Sequence, residues 1–246
     1  MEQIVCPRCQ GTRIVKNGAI HIGKPKWMCK DCRRQWVTNP ICRRISNETK
    51  QTIDKLLLER VSLAGIVRVT RVSPRWLQYY VNAKYESISR SVTVTEQKKG
   101  ALILECDELW SYGGKKRCQQ WIWLAINRET REIVGMAIGS RTKATARKLW
   151  ESLPAVYRQC AICYTDFWEA YVAVLPAKRH RAVGKESGQT NHIERFNNTL
   201  RQRCSRLVRK TLSFSKKLAN HIGALWYFIH DYNVQQRAKR GITTTA

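Results

Sequence analysis

Leu102-Ile-Leu-Glu-Cys-Asp-Glu-Leu-Trp110 sets three acids inside an otherwise apolar run, in a chain of 246 residues with 18 Asp and Glu against 45 Lys and Arg. The run is short, rich in strand-forming residues and followed by Gly113-Gly114, so it predicts a strand over 101–110 and a turn after it. A buried carboxylate is costly unless it is paired or ligates a metal, so acids placed in such a strand point to chemistry. Outward from it, residues 120–127 and 132–139 read as a second and a third strand joined by a turn at 127–131. A helix over 142–153, a strand over 160–166, a short strand over 179–183 and two long helices near 191–208 and 213–233 follow. The last helix keeps Phe214, Leu218, Ile222, Leu225, Ile229 and Tyr232 at helical spacing. This succession is that of an α/β, ribonuclease-H-like catalytic domain, placed at 91–246 behind a polar linker at 91–100.

In a sheet of that order the first and fourth strands are neighbours, so Asp107 would meet Asp166, which ends the strand Cys160-Ala-Ile-Cys-Tyr-Thr165. Glu194, on the helix that begins Asn191-His-Ile-Glu, can join them, giving a catalytic, magnesium-binding triad of Asp107, Asp166 and Glu194. Phosphodiester exchange needs such a cluster because its pentacoordinate transition state concentrates negative charge. Two magnesium or manganese ions about 4 Å apart on shared carboxylates activate the attacking water or 3′-hydroxyl and stabilise the leaving oxygen. Hard oxygen ligands suit these ions, and thiolates do not. Glu105 shares the strand face of Asp107 and Glu108 lies on the other; both are alternatives to the triad or plain surface charges. His192, two residues before Glu194, is either a proton relay or a partly exposed residue at the helix start.

Near the N-terminus, Cys6-Pro-Arg-Cys9 and Cys29-Lys-Asp-Cys32 are two C-x2-C pairs nineteen residues apart. Each pair makes a tight knuckle, and together they offer four thiolates to one tetrahedral, structural zinc ion. Residues 1–45 therefore read as a zinc ribbon, with short strands around Ile14-Val15, Asn17-Gly18 and Trp27-Met28, too small to be stable without its metal. His21 is not needed as a ligand, Cys42 stands outside the pattern, and Cys160 and Cys163 read as buried thiols on opposite faces of a strand.

Over 46–90 the periodicity turns helical, with Ile53, Leu56, Leu57, Leu63, Ile66 and Val67 at three- and four-residue steps and Ser73-Pro74 starting a third helix. Three helices with a tight turn at Thr70 to Ser73 resemble a helix-turn-helix, whose last helix would present Arg75, Gln78, Tyr79 and Asn82 to DNA. A plain three-helix packing module shares this pattern.

The net charge of +27 suits a polyanion, and nucleic acid is the partner to expect. No run of about eighteen apolar residues and no signal-peptide pattern is present, so a soluble, cytoplasmic protein without membrane attachment is expected. Between Lys178 and Lys217 twelve Lys and Arg face two acids, which makes Arg195, Arg201 and Arg203, with Arg206, Arg209 and Lys210, candidate phosphate contacts around the triad.

Asp107-Glu-Leu-Trp110, Tyr164-Thr-Asp-Phe-Trp-Glu-Ala-Tyr171, Val183-Gly-Lys185 and Asn191-His-Ile-Glu-Arg-Phe-Asn-Asn-Thr-Leu-Arg-Gln-Arg203, behind the four-cysteine ribbon, resemble a bacterial transposase of the insertion sequence one family. The resemblance spans nearly the whole chain. It implies an Asp-Asp-Glu core that maps onto Asp107, Asp166 and Glu194, with a zinc finger and helix-turn-helix ahead of it that bind terminal inverted repeats. The partners to expect are double-stranded DNA, as terminal repeats and as target, and further copies of the chain in a homodimer or higher homo-oligomer on DNA. The bacterial protein would be nucleoid-associated, and its reaction would free a 3′-hydroxyl at the element's end and use it to attack target DNA. Two other classes fit the same modules: a non-catalytic DNA-binding repressor of the element, and another nuclease of the fold such as a junction resolvase. The three acids favour an enzyme over the first, and two end-binding modules favour transposition over the second.

Overall fold

Residues 4–20, 23–38, 45–113, 117–207 and 215–242 are described in a computed structural model that divides into a unit over Met1–Ser46 and a second over Asn47–Ala246. Gly114, His21, Cys42, Arg209, Lys210 and Phe214 lie outside the described residues. In the first unit β1 (Ile14–Ala19), β2 (Pro25–Cys29) and β3 (Gln35–Val37) form an antiparallel sheet in that order. Asn17-Gly18 is an irregularity inside β1. Its pairing with β2 slips between Lys16 and Ala19, and Gly18 takes φ +74°, which glycine reaches without strain.

The second unit opens with α1 (Asn47–Leu56), α2 (Leu63–Thr70) and α3 (Pro74–Ser87). Ser62 and Ser73 cap α2 and α3, accepting hydrogen bonds from the N–H groups of Gly65 and Trp76 at 3.1 Å. The turn between these helices is made by Arg71 at φ 54°, whose N–H donates to Val67 O at 2.8 Å. Ile53, Ile66, Leu77, Val81 and Tyr85 form the buried side of the three helices.

A five-stranded mixed sheet follows, built from β4 (Ile103–Tyr112), β5 (Gln119–Asn127), β6 (Ile133–Gly139), β7 (Ile162–Thr165) and β8 (His180–Ala182). Its order is β6-β5-β4-β7-β8, antiparallel from β6 to β4 and parallel from β4 to β8. Helices α4 (Lys143–Ser152), α5 (Ala155–Cys160) and α6 (Glu169–Val172) cover the face that carries Leu104, Cys106, Trp123 and Val134. Helices α7 (Asn191–Arg203) and α8 (Leu218–Lys239) cover the face of Leu109, Ile122, Leu124 and Ile133. With both faces covered, the strands are apolar throughout instead of alternating.

One expected strand is shorter than its sequence suggests. Residues 155–160 form α5 directly after Pro154, so Cys160 ends a helix while Cys163 lies on β7, and the two thiols do not share a strand. α8 runs on to Lys239, six residues past the expected end, because it is buried on two sides. Facing β6, its Asn233 accepts from Ile133 N–H and donates to Ile133 O, both at 2.8 Å, which satisfies the backbone groups at the start of this edge strand. Facing α3, a Cβ on Gly223 would stand 2.4 Å from Tyr85 Cβ, so only glycine permits this approach. No helix among the described residues is long and apolar enough to cross a membrane.

His221, also on α8, is fully buried, with Nε2 3.3 Å from Ser111 Oγ and Nδ1 without a partner among the described residues. Burial, helped by the Arg206 charge, pushes its pKa down from 6.5 to about 4. The unfolded chain therefore takes up this proton first as pH falls. The stability contributed by neutral His221 is complete above pH 6.5 and is lost towards pH 4, a loss of about 3 kcal/mol from this group. Thermal melts from pH 7 to 4 should show a shallower decline for His221→Gln than for the parent; parallel curves would assign the acid sensitivity to other groups.

Candidate active site

The site is built where two parallel strands stop running together. β7 ends at Thr165, and the last residue it pairs on β4 is Glu105, opposite Tyr164. β4 continues past that point, which leaves Asp107 and Glu108 beyond the pairing with β7, and Asp166 follows β7 directly. Carboxylate oxygens of Asp107, Glu108 and Asp166 lie within 4.8 Å of one another. All three line a cavity of about 340 Å³ together with Lys185, Glu194, Asn197, Asn198 and Arg201.

α7 supplies one wall of that cavity. Ile193, Phe196 and Leu200 are buried against the sheet, which turns Glu194, Asn198 and Arg201 to the cavity side. Glu194 lines the cavity but does not belong to the close carboxylate group; its Oε1 accepts from Thr190 Oγ1 at 2.9 Å. The structure thus brings Asp107 and Asp166 together, adds Glu108, and leaves Glu194 on the wall.

Each acid is held by its own donors. Asp107 Oδ1 accepts from Glu108 N–H at 2.9 Å and Oδ2 from Asn197 Nδ2 at 2.7 Å. Asp166 Oδ1 accepts from Trp168 N–H at 3.0 Å, which closes the turn after β7. Glu108 is bound by Arg141 Nε at 2.8 Å and by the Tyr171 hydroxyl at 2.9 Å. The Arg141 guanidinium itself lies 4.7 Å from the Trp121 ring centre and 4.0 Å from that of Trp168. Burial pushes the Asp107 pKa up to about 7, with Glu108 and Asp166 adding to it. Glu108 is also raised, by burial first and by the Asp166 charge, against the pull of Arg141 and Tyr171. Carboxylates crowded in this way repel one another, and a divalent cation among them relieves the repulsion; an all-oxygen donor set fits magnesium or manganese.

The four N-terminal cysteines are also assembled. Sγ of Cys6 stands 3.5 Å from that of Cys32, Cys9 Sγ is 3.6 Å from Cys29 Sγ, and all four lie within 4.8 Å of one another. Zinc bound at about 2.3 Å to four thiolates sets their separation at about 3.8 Å, so the cluster is compatible with such an ion. The two knuckles are copies of one turn: Gln10 and Arg33 take φ 59° and 57°, and their N–H groups bond Cys6 O at 2.9 Å and Cys29 O at 3.0 Å.

Of the residues expected to meet DNA, Arg75, Gln78 and Tyr79 are exposed on α3, with the Arg75 guanidinium 5.8 Å from the Tyr79 ring centre. Asn82 is half-buried and links Gln78 to α8, accepting from Gln78 Nε2 at 2.7 Å and Asn220 Nδ2 at 2.9 Å. Arg195 is exposed and Arg201 reaches the cavity, whereas Arg203 pairs with Glu59 at 2.8 Å and lies over Phe228.

Sequence reasoning did not single out Arg141, Tyr171 or Asn197. The alternation of β4 places Glu108 and Asp107 on opposite faces, and only the early end of β7 lets both carboxylates converge at one edge. For Asn197 a signal was available, since a polar residue one step after Phe196 on the buried side of a helix needs a partner.

The profile of the IS1 transposase family matches residues 101–235. The insertion element iso-IS1n protein InsB of Shigella dysenteriae is 37% identical over 132 residues, 54% of this chain and 97% of that protein. The insertion element IS1 4 protein InsB of Escherichia coli K12 is 34% identical over 158 residues, 63% of this chain and 92% of the relative. The IS1 InsB protein of Shigella flexneri is 37% identical over 126 residues, 51% of this chain and 92% of its own length. With a profile match over more than half of its length, the chain belongs to the IS1 transposase family.

Proposed function

We propose that this chain cleaves and rejoins DNA at the ends of its insertion element, using Asp107, Asp166 and Glu194 as the acids of a ribonuclease-H-like core. The observation that carries the reading is the convergence of Asp107 and Asp166 on a cavity that Glu194 also lines. Two divalent cations bound there would activate the attacking oxygen and stabilise the leaving one. The sheet order supports the reading: numbered within this unit it is 3-2-1-4-5, with both aspartates beside the junction of the first and fourth strands. Lys185 and Arg201, on the same cavity, are placed to hold phosphate oxygens against the carboxylates.

Residues 1–45 act as a zinc ribbon and 46–90 as a helix-turn-helix, reading the terminal inverted repeats. Exposed Arg75 and Gln78 on α3 supply base contacts, and Arg195 a phosphate contact. Two ends must be held for joining, which calls for a homodimer or higher homo-oligomer on DNA.

The test is strand transfer by purified protein with Mg²⁺ on DNA that carries the element's own ends. Joined products that require those ends are expected; binding without cleavage would leave a repressor. In the same assay Arg75→Ala should weaken binding to the terminal repeat by about 1 to 3 kcal/mol with little change on random DNA. Equal loss on both would demote Arg75 to a phosphate contact.

A further inference from the structure

Behind the carboxylate cavity lies a second charged cluster that the chemistry does not use. Glu105 is fully buried on β4, yet its carboxylate collects four donors. Arg128 Nε donates to Oε1 at 2.8 Å, and His192 Nδ1 lies 2.6 Å from the same oxygen. The backbone N–H groups of His192 and Ile193 donate to Oε2 at 2.8 and 3.1 Å. Thr190, at the start of α7, makes no side-chain cap, so a carboxylate from β4 caps this helix in its place. Arg128 extends the cluster by donating to Gln189 Oε1 at 2.6 Å and to Gln189 O. Its guanidinium also lies 4.6 Å from the ring centre of Tyr164 on β7.

The spacing of these contacts carries the argument. Glu105 is two residues from Asp107 on β4, Tyr164 two residues from Asp166 at the end of β7, and His192 two residues from Glu194 on α7. A single ion pair, buried at its Glu105 end, therefore touches every element that bears a proposed metal-binding acid, at the same short distance along each chain segment. We infer that Glu105 and Arg128 are positioning residues, a clamp that sets the depth and rotation of α7 against β4 and β7 and so fixes the spacing of Asp107, Asp166 and Glu194. Neither clamp residue is among those lining the cavity. The inference rests on the metal-binding role of those three acids given above.

Outer partners of metal ligands typically change affinity or activity by about 10- to 100-fold when altered. The experiment is a titration of the full, zinc-loaded chain with Mn²⁺ alone, reading the free-ion signal by electron paramagnetic resonance, without DNA or turnover. Arg128→Lys keeps the charge but loses the planar fork, and Glu105→Gln keeps an acceptor for the two backbone N–H groups but loses the ion pair. Each should raise the dissociation constant for Mn²⁺ at the carboxylate site about ten-fold, with thermal melting still cooperative. A purely structural role would reduce the fraction of protein that binds while leaving the constant of the remainder unchanged, and that result overturns the clamp. Should Glu105→Gln not fold, Arg128→Lys decides alone, since its cation can still approach Glu105. Asp107→Asn is run beside them and should abolish binding at this site. If it binds Mn²⁺ like the parent, the ligand assignment fails and takes the clamp's role with it; if it does not, an unchanged constant in Arg128→Lys counts against the clamp only.

Discussion

Asp107→Asn is expected to slow Mg²⁺-dependent end cleavage by about a thousand-fold or more, on the order of 4 kcal/mol of transition-state stabilisation, while binding of the terminal repeat is retained. The size follows from position. Asp107 lies within 4.8 Å of the carboxylates of both Glu108 and Asp166, and Asn197 fixes one of its oxygens, so its charge has no substitute nearby that is equally well placed. Asparagine keeps the volume and removes a charge from a crowded cavity, so the folded protein should melt no lower than the parent. Glu194→Ala should also abolish cleavage and joining, with end binding equal or improved because a negative charge has left a basic surface. Glu108→Gln should be milder, since Arg141 and Tyr171 already engage that carboxylate. If Glu108→Gln is inactive and Glu194→Ala joins strands at the normal rate, the third acid is Glu108.

Metal removal at the other end of the chain should have an effect of similar size. Analysis of the purified, reduced protein should find one zinc per chain, and Cys29→Ser or a strong chelator should release it. The N-terminal sheet has three short strands and little core of its own, so the free energy of zinc binding, of order 10 kcal/mol, would be most of what folds the proposed ribbon. Residues 1–46 should then become sensitive to protease while 47–246 resist, and affinity for the terminal repeat should collapse. Metal analysis that finds no zinc would remove the ribbon.

Much of this was legible from patterns that physics ties to one outcome. Two C-x2-C pairs have few uses other than a shared ion, and Ser73-Pro74 marks a helix start because a capping hydroxyl and a fixed φ favour it. Strands buried on both faces stand out as apolar runs, so β4, β5 and β6 lie where the sequence puts them. What stayed hidden depends on where elements stop. The end of β7 at Thr165 decides that Glu108 joins Asp107, and periodicity does not define such a boundary. The six-residue α5 is too short to show a helical stripe. The clamp joins Glu105 on β4 to Arg128, 23 residues on and just past the end of β5, and sequence alone reads Glu105 equally well as a plain surface charge.

The fit of Gly223 against Tyr85 bears on how the DNA itself must be organised. α3 and α8 meet closely where Gly223 faces Tyr85, and the side chains of Asn82 and Asn220 bond across the same contact. The proposed end-reading helix is thereby seated on the helix that backs the sheet of the proposed catalytic site, with no swinging arm between them. The span from the bases recognised to the bond broken then becomes a property of the protein, a built-in ruler. Terminal repeats that this chain processes would have to keep a constant number of base pairs between those two places, whatever sequence fills the interval.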